Sequence, residues 1–190
     1  MIDSLIRIAP GATYWAAWVT ILSTAALFIM FGGVGFMGPV NDFLSVFQFL
    51  LFIPAVLALH RILGPANPAL SGPFSVIAII AMLAIALLQS ALVLGFVDFQ
   101  QTLRPILAIG AFLGAWWLVV GGLSFISPQF PASLAWLALA TGFFYILIAI
   151  GYWINGSPDH PLAVVGFLVS AVSLPWWAFL LSRTLRELPA

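Results

Sequence analysis

Polar residues in this chain come in short clusters, and between the clusters run six stretches in which nearly every residue is apolar, at roughly 14–37, 43–63, 73–97, 105–126, 132–154 and 161–182. A bilayer's hydrocarbon core is about 30 Å thick, so a helix that crosses it needs about 20 mostly apolar residues. Each stretch is long enough. In lipid a backbone must pair its own N–H and C=O groups, which leaves helices as the form for such segments. The pattern therefore predicts an all-α protein, a polytopic six-helix transmembrane bundle in a single transmembrane domain over residues 1–190.

Proline agrees with these divisions. Pro39, Pro65, Pro68, Pro73, Pro105, Pro128, Pro131, Pro158 and Pro161 fall in or beside the predicted connections, where a missing N–H costs least. Only Pro54 and Pro175 fall inside predicted spans, and each predicts a kink there. The first stretch is longer than a signal-peptide core and no small-x-small cleavage site follows it, so it reads as a retained helix. Arg7, Arg61, Arg183 and Arg186 fall on the side that holds both termini, and only Arg104 falls opposite. By the positive-inside rule, both termini are expected in the cytoplasm.

Composition sharpens the picture. Hydrophobic residues make up 64% of the chain and charged ones 5%, against about a quarter charged in a soluble domain. The expected main partner is the lipid bilayer. Five basic residues balance five acidic ones, which leaves no basic surface to neutralise phosphates and argues against nucleic acid. Cysteine is absent, which removes disulfides, thiolate metal sites and thiol nucleophiles. Lysine is absent too, which removes Schiff-base chemistry and a P-loop.

The stretch GGVGFMGP, residues 32–39, carries Gly33, Gly35 and Gly38 in G-x-G-x-x-G spacing. A dinucleotide fingerprint needs a strand to deliver those glycines to a helix N-terminus. Here an apolar helix delivers them, so no nucleotide partner is expected. The stretch recurs as GGLSFISP, residues 121–128, with Gly32 on Gly121, Gly33 on Gly122, Phe36 on Phe125 and Pro39 on Pro128. Both copies end a predicted span, the first and the fourth. This suggests an inverted repeat of three helices plus three, with halves at 1–101 and 102–190. Gly32, Gly33, Gly121 and Gly122 then read as positions of close helix packing. Simple helix-ending grammar, glycine followed by proline, is the alternative.

Candidate chemistry is sparse. His60 and His160 are each a possible pigment or haem ligand through one imidazole nitrogen, but they fall at opposite ends of the bundle, so no shared metal is expected. In the other reading, His60 with Arg61 suits the negative end of a helix, and Asp159 in SPDH caps the next one. The GLSF around Ser124 resembles the serine motif of intramembrane proteases, with Phe125 where a glycine should follow. Asp42 and Asp98 read either as a carboxylate acid–base pair or as helix caps, with an Asp98–Arg104 ion pair worth under about 1 kcal/mol.

No ionisable residue is predicted at membrane depth, which argues against a pump or proton-coupled carrier. The polar groups expected there are neutral: Thr20, Ser23 and Thr24, Gln48, Gln89 and Ser90, Thr141 and Tyr145, Ser170 and Ser173. They read as interhelical hydrogen bonds worth about 1 kcal/mol or less each, with Gln48 and Gln89 the best candidates to touch a ligand. Trp15, Trp18, Trp136 and Trp153 read as interfacial anchors, with Trp176 and Trp177 somewhat deeper. Trp116 and Trp117 fall mid-span, where they form either a packed seam or an aromatic wall for a lipid, quinone or carotenoid.

Residues 38–63, GPVNDFLSVFQFLLFIPAVLALHRIL, resemble a pattern in uncharacterised multi-pass bacterial membrane proteins. The resemblance implies a bacterial cytoplasmic (inner) membrane and no activity. The function expected first is non-catalytic: an accessory or scaffold subunit that meets other membrane subunits or itself, or a binder of a hydrophobic small molecule. A small inverted-repeat facilitator for a neutral or apolar substrate comes second, with Gln48, Gln89, Tyr145 and the tryptophans along its path. An intramembrane enzyme comes third. No cofactor is predicted, with haem, pigment or lipid as the alternatives.

Overall fold

A computed structural model describes residues 2–188. It contains six helices: α1 (Ile2–Phe31), α2 (Met37–Leu63), α3 (Pro68–Val93), α4 (Phe99–Ile126), α5 (Ala132–Asn155) and α6 (Pro161–Glu187). All six are long and apolar enough to cross a membrane, and there is no strand among the described residues. This is an all-α, six-helix integral membrane protein. Each helix packs on the next and α6 returns to α1, which closes a ring; α2 also touches α4 across it. Because the helix number is even, both termini share one end of the bundle. Contacts tie them there: Arg61 Nη1 lies 2.9 Å from Asp3 Oδ1, and Ser182 Oγ donates to the Pro10 carbonyl at 2.7 Å. We call this the terminal end and the other the far end.

The helices do not keep to the apolar stretches that predicted them: α1 to α4 start earlier, and α1 and α3 also end earlier, at Phe31 instead of 37 and at Val93 instead of 97. α1 starts at residue 2 instead of 14, and its 30 residues span about 45 Å, the thickness of a bilayer with its headgroups. Hydropathy marks only the hydrocarbon part. The additional turns hold because they pack: Ala9 is fully buried and the Pro10 carbonyl is bonded by α6. α2 starts at Met37 instead of 43, so Asn41 and Asp42, expected ahead of the helix, lie inside it. Pro73 and Pro105, expected at turns, lie inside α3 and α4, and Pro10 lies inside α1.

Caps explain the early starts of α3 and α4. Asn67 Oδ1 accepts the Leu70 N–H at 3.2 Å ahead of α3. At α4, Asp98 and Gln101 form a capping box, with bonds of 2.8 and 3.1 Å between each side chain and the other's N–H. That cap occupies Asp98, so the expected ion pair with Arg104 does not form. Arg104 Nε reaches the Tyr152 hydroxyl instead, at 3.4 Å. At α6 the cap is His160, whose Nδ1 accepts the Leu162 N–H at 3.3 Å. Asp159, expected in that role, is one residue too early and bonds Ser157.

Close backbone approaches tie α5 to both of its neighbours: to α6, where a Cβ placed on Gly151 would meet the Ala163 backbone nitrogen, and to α4. A Cβ placed on Gly114 would stand 2.7 Å from the Gly142 carbonyl oxygen, and one on Gly142 would stand 2.5 Å from the Gly114 oxygen. Gly166 of α6 approaches the Phe144 carbonyl of α5 in the same way, at 2.7 Å. Gly121 belongs to this seam, with Leu139 at 2.7 Å from its would-be Cβ. Gly33 and Gly122 face open space, and Gly32 meets only its own helix. Gly33 serves the backbone instead of the packing, since its φ of +103° turns the chain out of α1.

Candidate functional site: a cavity shared by all six helices

Helical spacing puts one stripe of each helix on the inside of the ring. On α3 that stripe runs through Ala78, Met82, Ile85 and Gln89, and on α6 through Gly166, Ser170, Leu174 and Trp177. Toward the terminal end these stripes meet in a solid core. Toward the far end they separate around a cavity of about 250 Å³. Every helix contributes to its wall, among them Thr20 and Ser23 from α1, Gln48 from α2, Gln89 from α3, Tyr145 from α5 and Ser170 from α6.

The floor is aromatic. Phe52, Trp117 and Trp177 come from α2, α4 and α6, which run in the same direction, and all three are completely buried. Phe52 and Trp177 meet Trp117 at near-right angles, 87° and 83°, the edge-to-face arrangement that ring quadrupoles favour. Tyr145, which lines the cavity, packs on Trp117 with centroids 5.1 Å apart and the ring planes tilted by 44°. The indole N–H groups of Trp117 and Trp177 are buried without a hydrogen-bond partner.

The polar wall divides in two. On the α1–α2 side the groups satisfy one another. Ser23 Oγ donates to Asn41 Oδ1 at 2.8 Å and lies 3.1 Å from Ser45 Oγ, while Asn41 Nδ2 donates to Asp42 Oδ1 at 3.2 Å. On α3 and α6, helices that do not touch, two groups are left over. Gln89 Oε1 and Ser170 Oγ are buried with no partner. A buried polar atom without a bond costs about 1–3 kcal/mol, so both atoms call for a hydrogen-bonding occupant of the cavity.

A second space, about 290 Å³, lies at the far end and shares Leu27 and Asn41 with the cavity. It forms the mouth. Its wall is apolar (Leu27, Met30, Leu92, Phe99) except for Asn41 and the half-buried carboxylate of Asp42.

Of the residues singled out in the sequence, Gln48, Gln89 and Tyr145 come together in the cavity, and Trp117 lies beneath it. Trp116 is also buried but belongs to the next layer, 5.2 Å from Trp117 and 6.2 Å from Trp177. Trp177, read as a moderately deep anchor, is instead at the centre of the bundle; its position on the Ser170 and Leu174 stripe was the signal for that. Trp15, Trp18, Trp136, Trp153 and Trp176 are exposed on the outer surface.

The remaining candidates lie elsewhere. His60 Nδ1 is 2.9 Å from Ser71 Oγ at the terminal end, and His160 caps α6 at the far end. Ser124 donates to the Val120 carbonyl of its own helix at 2.8 Å. Among the described residues, no three His, Cys, Asp or Glu side chains gather as a metal site. Of the other polar cavity residues, Thr20, Ser23, Thr24 and Ser170 were read from the sequence only as interhelical hydrogen bonds, and Ser45 was not singled out at all.

The cavity and the fold define a class, an integral membrane protein with an internal site open toward one face. Comparison with known proteins takes this no further: no family model, no curated protein and no solved structure matches the chain.

Proposed function

We propose that this protein binds a small organic molecule, partly apolar and partly hydrogen-bonding, in the six-helix cavity. One observation carries the reading: Gln89 Oε1 and Ser170 Oγ, on opposite walls of a single cavity, are buried and unpaired. Leu27, Phe49, Ile85, Ile148 and Phe167 supply the apolar part of the wall. The volume, at the lower edge of ordinary ligand sites of about 300–1,000 Å³, fits a compact molecule. Purification in mild detergent followed by native mass spectrometry tests the proposal. The expected result is a bound small molecule on the wild-type protein that is lost from the Gln89→Leu/Ser170→Ala double variant.

The arginine bias supports an orientation with both termini in the cytoplasm, so that the mouth opens away from it. A passage function has one supporting feature. The two most extensive helix contacts, α1 with α2 and α4 with α5, exchange under a shift of three helices, as an inverted repeat requires. The α2–α4 contact has no counterpart between α5 and α1. A facilitator also has to open the solid half of the bundle below Trp117, which binding does not require.

A further inference from the structure

We infer that the molecule held in the cavity is a small organic cation, an amine or quaternary ammonium whose charged head rests at Asp42 while its body fills the space above Tyr145. This rests on the binding reading above and adds the chemical class of the occupant. Three observations lead to it.

The first is an uncompensated charge. Among the described residues the ion pairs join Arg61 to Asp3 and Arg183 to Glu187, both at the terminal end. Asp42 has neither. Its one side-chain bond is from the neutral amide of Asn41, and its surroundings are otherwise Leu27, Met30, Leu92, Val93 and Phe99. A carboxylate partly withdrawn from water among apolar side chains is costly unless a cation meets it.

The second is that the protein offers no cation of its own there. Arg104 is the arginine of the far end, and it is engaged with the Tyr152 hydroxyl. His160 is spent as the cap of α6, and Asp98 and Asp159 add negative charge at that end. Neither Arg104 nor His160 pairs with Asp42, which leaves the place beside its carboxylate open to a cationic ligand.

The third is the character of the space behind the carboxylate. Asn41 lines both mouth and cavity, so a molecule with its head at Asp42 extends directly into the wall that holds Gln89 and Ser170. Phe49, Tyr145 and Phe167 line that space and offer apolar surface to the body of the ligand. An inorganic cation would satisfy Asp42 but leave the two unpaired groups unmet.

The test uses a matched pair of probes on the detergent-purified protein: choline, and 3,3-dimethylbutan-1-ol, which has the same shape with carbon in place of the charged nitrogen. Binding is followed by calorimetry and tryptophan fluorescence, with sodium chloride as the inorganic arm. Choline is expected to bind at least about tenfold tighter than the alcohol, and sodium not to compete at equal concentration. Asp42→Asn should erase the preference while leaving the alcohol's affinity unchanged. Asp98→Asn, which removes the same charge from the same end and keeps a good helix cap, should retain it. Equal affinities for the two probes in the wild type, or a preference that survives Asp42→Asn, overturn the inference and leave the cavity reading standing. Failure of both probes to bind overturns the inference, and the cavity reading is then judged on the co-purified molecule. If Asp42→Asn does not fold, the wild-type comparison of choline, alcohol and sodium decides.

Discussion

Tyr145 packs on Trp117 with ring centroids 5.1 Å apart, and this contact divides the bundle into an open half and a solid one. Above it the six helices separate around unpaired polar groups. Below it the interior is packed with side chains, among them Leu59, Leu134 and Leu181, each no more than 1% exposed.

Cysteine labelling can map that division, because the natural chain contains no cysteine to interfere. Ser45→Cys and Ser170→Cys, on the cavity wall, should react with a small methanethiosulfonate reagent. Ala16→Cys and Ala138→Cys, in the solid core, should not react without denaturant. Labelling of the core positions at comparable rates would show that the solid half is not solid.

Gln89→Leu should produce two effects of opposite sign. Replacing an unpaired buried amide with an apolar group of similar size removes a cost of about 1–3 kcal/mol in the ligand-free protein, so thermal stability in detergent should rise. The co-purified molecule should be lost at the same time. A fall in stability would mean that Gln89 is a packing residue whose amide already has a use.

The α4–α5 seam predicts a sharp contrast between two glycines. Gly142→Ala forces a methyl group to within 2.5 Å of the Gly114 carbonyl, and such overpacking costs about 1–3 kcal/mol. Gly122→Ala meets nothing within 4 Å and, as a helix-interior replacement of glycine, should gain up to about 1 kcal/mol. Thermal unfolding of the two variants in the same detergent measures the difference.

Orientation is checked from outside. Ala66→Cys in the α2–α3 turn and Pro158→Cys in the α5–α6 turn lie at opposite ends of the bundle. In intact bacterial cells an impermeant maleimide should label residue 158 and spare residue 66. The reverse pattern would turn the mouth of the cavity toward the cytoplasm.

The number of helices was legible from the sequence because crossing a bilayer demands about 20 apolar residues each time, and six such runs leave little choice. Helix ends were not, since the turns that extend into the headgroup zone, such as residues 2–13 of α1, are held by packing and caps instead of hydropathy. Gln48, Gln89 and Tyr145 were recognisable as unusual at their depth. That they share one cavity was not, because only the closure of α6 on α1 brings their stripes face to face. Asp42 looked like a cap beside a predicted helix start, and its place at the mouth emerged only once α2 was seen to begin a turn and a half earlier. The repeated glycine pairs drew attention to residues 32, 33, 121 and 122, whereas the close backbone approaches at Gly114, Gly142, Gly151 and Gly166 are marked by no repeat.

The solid half also fixes where a membrane voltage would act. The open spaces lie toward the far end, so the larger part of a transmembrane potential falls across the packed layer between Trp117 and the terminal end. An ion resting at Asp42 is then close to the potential of the solution it came from, and energising the membrane should change its affinity little.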